Sequence, residues 1–121
     1  MGWTVEFHED FEPEFDALSQ EVQEELLATA KLLEEFGSQL KRPHVDTLNG
    51  SKYSNMKELR FSVHGGVWRV AFAFDPKRQG ILLVAGDKSG VSQKRFYTQL
   101  IKKADARYKD HLLKLQEEGY T

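Results

Sequence analysis

The chain predicts an α+β domain in which a twisted antiparallel meander carries helices on one face. Two observations lead there. Three consecutive stretches between residues 57 and 85 have strand character and are joined by turn signals. Two long stretches, Val22–Phe36 and Phe96–Leu115, carry apolar residues at helical spacing. Consecutive strands joined by hairpins pair antiparallel, and amphipathic helices bury their stripe against such a sheet.

The elements follow in order. Trp3, Val5 and Phe7 alternate with Thr4, Glu6 and His8, the pattern of a half-buried strand. Pro13 suits the first turn of a short helix over residues 12–18. Ser19 is placed to cap a longer helix whose stripe is Val22, Leu26, Ala30, Leu33 and Phe36, with Gly37 as its stop. Residues 38–56 are broken by Pro43, Asn49-Gly50 and Asn55, so they are expected to form a loop with one short helical turn near residues 45–48. Residues 57–63 place Leu59, Phe61 and Val63 on one strand face. After the Gly65-Gly66 turn, Trp68, Val70, Phe72 and Phe74 share a face of the next strand. Asp75–Gly80 closes a longer hairpin. Residues 81–85 are apolar on both faces, as in a central strand. The last helix is expected from about Ser92 to Glu118, with Phe96, Leu100, Ala104, Tyr108, Leu112 and Leu115 inward and Gly119 after it. The order is β-α-α-β-β-β-α, and 121 residues suffice for one domain spanning 1–121.

Composition bounds the chemistry. There is no cysteine, which excludes disulfides, thiolate metal sites and a cysteine nucleophile. His8, His44, His64 and His111 are scattered without ligand spacing, so no metal site is expected. No apolar run reaches the ~18 residues of a membrane span, and no signal peptide is evident, so the expected location is the cytoplasm. No glycine-rich nucleotide fingerprint occurs.

Charge is segregated behind a formal net value of −2. Residues 1–36 hold eleven acidic side chains against the single basic Lys31, much of it the outer face of two helices. Within residues 41–107, fourteen Lys or Arg oppose five Asp or Glu. That second half reads as a surface for polyanions. Arg60 lies between Leu59 and Phe61, and Arg69 between Trp68 and Val70, so strand alternation turns both arginines to the face opposite the apolar residues. That face is expected to be exposed, with Lys57 and Lys88 beside it. Cross-strand pairing with Glu58 is the alternative reading for an arginine there. Like charges on neighbouring strands cost stability unless an anion joins them, and phosphate suits a guanidinium cluster. Tyr97 stands just off the stripe of the last helix, open to either core packing or a place in the site.

The runs Leu48-Asn49-Gly50, Met56-Lys57-Glu58-Leu59-Arg60-Phe61, Trp68-Arg69-Val70-Ala71-Phe72 and Leu83-Val84-Ala85-Gly86-Asp87-Lys88 resemble the RelE/ParE toxin superfamily, in its HigB-like, phage-derived branch. The resemblance extends over nearly the whole chain. It implies a toxin of a type II toxin–antitoxin system, a ribosome-dependent endoribonuclease that cuts mRNA and inhibits translation. It implies a cognate antitoxin with a helix-turn-helix domain, through which alone the chain would meet DNA. Neither a cofactor nor a membrane is implied. Arg60, Arg69 and Lys88 match basic positions at the scissile phosphate, and Tyr97 is a looser match. Lys41, Arg42, His44, Lys52, Tyr53 and Lys57 are then the candidates for RNA contact. The chain departs from the family pattern at Ser62, where a second lysine would stand, and in its slightly acidic balance. Two alternatives stay open: a ParE-like inhibitor of DNA gyrase, and a non-catalytic module with the same fold.

Cleavage of this kind needs the 2′-hydroxyl deprotonated, the pentavalent phosphate stabilised and the 5′-oxygen protonated. The arginines fit the second task. No residue stands out as the base: a lysine or tyrosine would need its pKa pulled down, and the crowded positive field is expected to act in that direction.

Overall fold

A computed structural model describes residues 2–87 and 90–120. Its elements are β1 (Thr4–Phe7), α1 (Phe11–Asp16), α2 (Gln20–Phe36), a 3-10 turn (Gly37–Gln39), β2 (Val45–Thr47), β3 (Lys57–Val63), β4 (Gly66–Phe74), β5 (Gln79–Asp87) and α3 (Gln93–Glu117). The long helices begin where the sequence places their caps. Ser19 Oγ accepts from the Val22 amide at 3.3 Å, and Ser92 Oγ accepts from the Arg95 amide at 3.2 Å. Gly37 ends α2 with φ +56°, and a Cβ there would lie 2.0 Å from the Trp3 ring, so both backbone and space demand glycine.

The five strands run in the order β1-β5-β4-β3-β2. β3, β4 and β5 form the expected antiparallel meander. β1 adds to it parallel to β5, from Thr4↔Gln79 to Phe7↔Leu82, which makes β5 a central strand. Residues 45–47 are not the short helical turn that the sequence suggests. They form β2, antiparallel to β3 with Val45 opposite Leu59. Three residues carry too little periodicity to reveal a strand, and pairing with β3 decides their conformation.

The second correction concerns layers. Helices cover both faces of the sheet. Leu26 and Leu33 of α2 and Phe11 of α1 share one core with Leu59, Phe61, Val70, Phe72 and Leu82. Phe96, Leu100, Ala104 and Tyr108 of α3 share another with Ala71, Ala73, Ile81, Leu83 and Val84. The register shift in β5 sets Phe72 opposite Leu82 but Ala71 opposite Val84, leaving Leu83 as the extra residue. This bulge turns Leu83 and Val84 both toward α3. The α2 stripe is buried as its spacing implies, except Phe36, which is 48% exposed at the helix end.

Polar ties fasten α3 to the rest. Arg107 grips Glu14 of α1 with both terminal nitrogens, at 2.9 and 2.5 Å, and donates to the Leu83 carbonyl at 2.8 Å. The Arg107 hydrogen bond holds the Glu14 carboxyl below its ordinary 4.5. Farther along, His111 meets the buried Asp75 at 2.7 Å and His8 meets Asp110 at 3.0 Å. No helix among the described residues is long and apolar enough to cross a membrane.

Candidate nucleic-acid interface

Arg60 and Arg69 are direct partners in the β3–β4 register. They share a face, as strand alternation requires. The face is not open, however. Arg69 is 5% exposed, because the first turns of α3 lie over it. Its guanidinium carbon is 5.8 Å from the Phe96 ring centre and 5.7 Å from that of Tyr97. On its other side Arg69 pairs with Gly86 of β5, whose missing side chain leaves the space that Phe96 fills: a Cβ on Gly86 would come within 3.1 Å of the ring.

A buried charge needs a partner. Glu58, 6% exposed on β3, supplies it, with Oε1 3.6 Å from Arg69 Nε. The cross-strand alternative with Glu58 is therefore realised for Arg69. At that distance the contact is an ion pair without a hydrogen bond. Arg69 Nε has no hydrogen-bond partner, while Nη1 donates to the Val67 carbonyl at 3.3 Å. Glu58 Oε1 also accepts from the Tyr97 hydroxyl at 2.8 Å. Tyr97 thus combines the two roles left open by its sequence: it packs against the α3-side core and belongs to the charged cluster.

The Tyr97 phenol titrates above its ordinary 10.0, first because burial disfavours the phenolate and next because its proton is shared with Glu58. This reverses the expectation of a downward shift. The nearby cation Arg69 does act to lower the value, but burial and the carboxylate outweigh it. Burial and Glu58 thus favour the phenol form of Tyr97, which donates to that carboxylate.

Arg60 is half-buried. It lines a cleft of about 610 Å³ at the sheet edge with Arg42, His44, Ser62 and Val67, and with Glu25 and Thr29 of α2 on its other wall. The strand edge fixes this spot, since the Arg60 amide donates to the His44 carbonyl at 2.8 Å. Arg42 is exposed and ion-paired to Asp46 at 3.0 Å.

The remaining candidates separate. Lys57 has the strand parity of Leu59, so it lies on the face opposite Arg60. It lines a smaller cleft with Lys41 and Arg42 at β2. Tyr53 stacks edge-on against Tyr108 at 4.9 Å and, half-buried, belongs to the α3-side packing. Lys52 is exposed and lines a different groove, with Tyr97. Lys88 lies outside the described residues. Sequence reasoning named Glu58 only as an alternative partner and missed Lys94 and Lys102, which join Lys52 and Tyr97 in that groove. Their spacing of eight on one helix was the available signal.

In chemical terms the cluster offers two guanidinium groups at adjacent strand positions, one reachable and one held behind an aromatic cover. Beside them stand a buried carboxylate and a protonated phenol. Such a set stabilises an anion and can donate a proton.

Comparison with known proteins agrees with this architecture. Residues 13–109 match the model of the family described as phage derived protein Gp49-like. Two Mycobacterium tuberculosis proteins assigned as toxins are similar. HigB2 is 40% identical over 118 residues, 97% of this chain and 58% of its own length. HigB3 is 45% identical over 98 residues, 81% of this chain and 83% of its own length. The chain thus spans little more than half of HigB2 and most of HigB3. A structure of an arginine double mutant of the E. coli toxin RelE in the free state superimposes with a TM-score of 0.56 at 14% identity. The match covers 85% of this chain and 97% of RelE, a likeness of fold. The chain belongs to the Gp49-like phage-derived family, is HigB-like in sequence, and shares the fold of RelE.

Proposed function

We propose that the protein is the toxin of a type II toxin–antitoxin pair and cuts translated mRNA by metal-independent transesterification in the cytoplasm. The observation that carries this reading is the Arg60–Arg69 pair in direct register beside the Tyr97–Glu58 hydrogen bond. A phosphate placed over Arg60 meets a guanidinium fork. Arg69, held beneath Phe96 and Tyr97, adds its positive charge to the field at that phosphate. Tyr97, kept protonated by burial and by Glu58, suits proton delivery to the departing 5′-oxygen. Glu58 holds the phenol and the guanidinium in place, a positioning role. Arg42 and His44 share the Arg60 cleft and extend the path for RNA.

The partner is an antitoxin with a helix-turn-helix domain, and the basic half of the chain fits an acidic segment of it. Induced expression with mapping of mRNA 5′ ends tests the reading. The expected result is new ends inside translated messages, lost with Arg60→Ala. Intact mRNA with relaxed plasmid would move the target to DNA gyrase.

A further inference from the structure

A second basic groove opens on the other side of Tyr97. Its walls are the loop between β2 and β3, which contributes Asn49 and Lys52, and one face of α3, which contributes Lys94, Tyr97, Ile101 and Lys102. The groove encloses about 760 Å³, and none of its lining residues is acidic. Lys52, Lys94 and Lys102 are exposed and have no ion-pair partner among the described residues. They come from two separate elements, so helical periodicity alone does not bring them together.

The loop is fastened in this position. Asp105 of α3 accepts from Ser51 Oγ at 2.5 Å and from the Lys52 amide at 3.0 Å. Ser51 Oγ in turn accepts from the Tyr53 amide at 3.0 Å. The Asp105 carboxylate is thus occupied in binding loop to helix, and the three ammonium groups have no ion-pair partner among the described residues. Convergent like charges cost stability, and a polyanion removes that cost. Tyr97 belongs both to the groove and to the cluster with Glu58 and Arg69, so the groove leads directly to the proposed site.

We propose that this groove binds the single-stranded RNA flanking the reacting phosphate, with Lys52, Lys94 and Lys102 on successive backbone phosphates. The proposal rests on the ribonuclease reading and deepens it. Ile101 gives the groove an apolar floor on which a base can lie. An acidic protein segment is the competing occupant. The lack of any acidic lining residue and the continuity of the groove with the proposed site through Tyr97 favour RNA.

The test is binding of a fluorescein-labelled single-stranded 12-nucleotide RNA across a salt series. It compares the full chain, the variant Lys52→Ala/Lys94→Ala/Lys102→Ala, and a charge-matched variant Lys31→Ala/Lys77→Ala/Lys109→Ala. Three lost phosphate contacts predict a log–log salt slope shallower by about 2 for the groove variant, with the charge-matched variant near the unaltered chain. Thermal midpoints of all three proteins establish that each is folded. Equal slopes for the two triple variants would overturn the groove, because the effect would then be diffuse charge. So would loss of the acidic antitoxin by the groove variant with RNA binding retained. If the unaltered chain binds no RNA, the groove falls, whereas the ribonuclease reading falls only if induced cells show no new mRNA 5′ ends.

Discussion

The two faces of one sheet show different solutions to burial. Under α2, the odd residues of β3 and the even residues of β4 bring Leu59, Phe61, Val70 and Phe72 into an apolar core. Under the first turns of α3, the opposite parity brings Glu58 and Arg69 to nearly the same degree of burial. The first face gains about 25 cal/mol per Å² of apolar surface removed from water. The second must desolvate two charges, and their contact of 3.6 Å recovers only part of that cost. An apolar pair there would serve stability better. Glu58 and Arg69 therefore mark a place where the fold carries a stability cost, as the proposed site would require.

The largest expected effect follows from that contrast. Arg69→Ala leaves Glu58 buried and unpaired, so it should cost about 3–5 kcal/mol by chemical denaturation. The Arg69→Met/Glu58→Gln double variant should regain most of this loss yet remain inactive. A double variant as unstable as Arg69→Ala would show that the pair contributes more than the desolvation argument allows. Leu59→Ala, the control on the other face, should cost about 2–5 kcal/mol through cavity formation. If it folds at all, it should keep the mRNA cleavage pattern.

Arg60→Ala separates activity from stability. Its half-buried side chain has no ion-pair partner among the described residues, and it faces another arginine. Stability should change by about 0.5 kcal/mol or less. Loss of a transition-state contact worth roughly 2–4 kcal/mol predicts cleavage slower by about 30- to 1000-fold. Primer-extension rates on ribosome-bound mRNA, with a matched thermal midpoint, check both parts.

Tyr97 gives a pH signature. Its folded pKa is raised above the ordinary phenol value of 10.0, so the stability it contributes is complete below that value. As pH rises through the folded pKa, unfolding releases a more weakly held proton and stability falls. Tyr97→Phe should cost about 1 kcal/mol at pH 7 through the lost hydrogen bond and should flatten part of the alkaline decline. Tyr108, raised by burial, and Lys114, raised by its hydrogen bond to Glu9, contribute to the rest of that decline. Denaturation midpoints between neutral and strongly alkaline pH read this directly. An alkaline decline unchanged in Tyr97→Phe would contradict the assignment.

The helix caps give the smallest and cleanest comparison. Ser19→Ala and Ser92→Ala should each cost about 1 kcal/mol. Ser19 begins the helix of the apolar face, and its loss should leave cleavage alone. Ser92 begins the helix whose first turns cover Arg69, so its loss should slow cleavage also. Equal cleavage rates for the two variants would break the distinction between the faces.

Local periodicity made much of this architecture legible. Strand alternation gave β3 and β4, helical stripes and serine caps gave α2 and α3, and parity alone put Arg60 and Arg69 on one face. These features are legible because each depends on residues within a turn or two along the chain. β2 was illegible, since three residues become a strand only when β3 supplies the hydrogen bonds. The parallel docking of β1 on β5 joins residues about 75 apart in sequence, and no local pattern encodes such a pairing. The same limit governs the site. Sequence determined which side chains share the α3 face. Tertiary packing alone decided that α3 would cover Arg69, raise the Tyr97 pKa and set Lys52 opposite Lys94 and Lys102. Burial and field depend on what lies across space, and a strand's own parity says nothing about which helix will cover it.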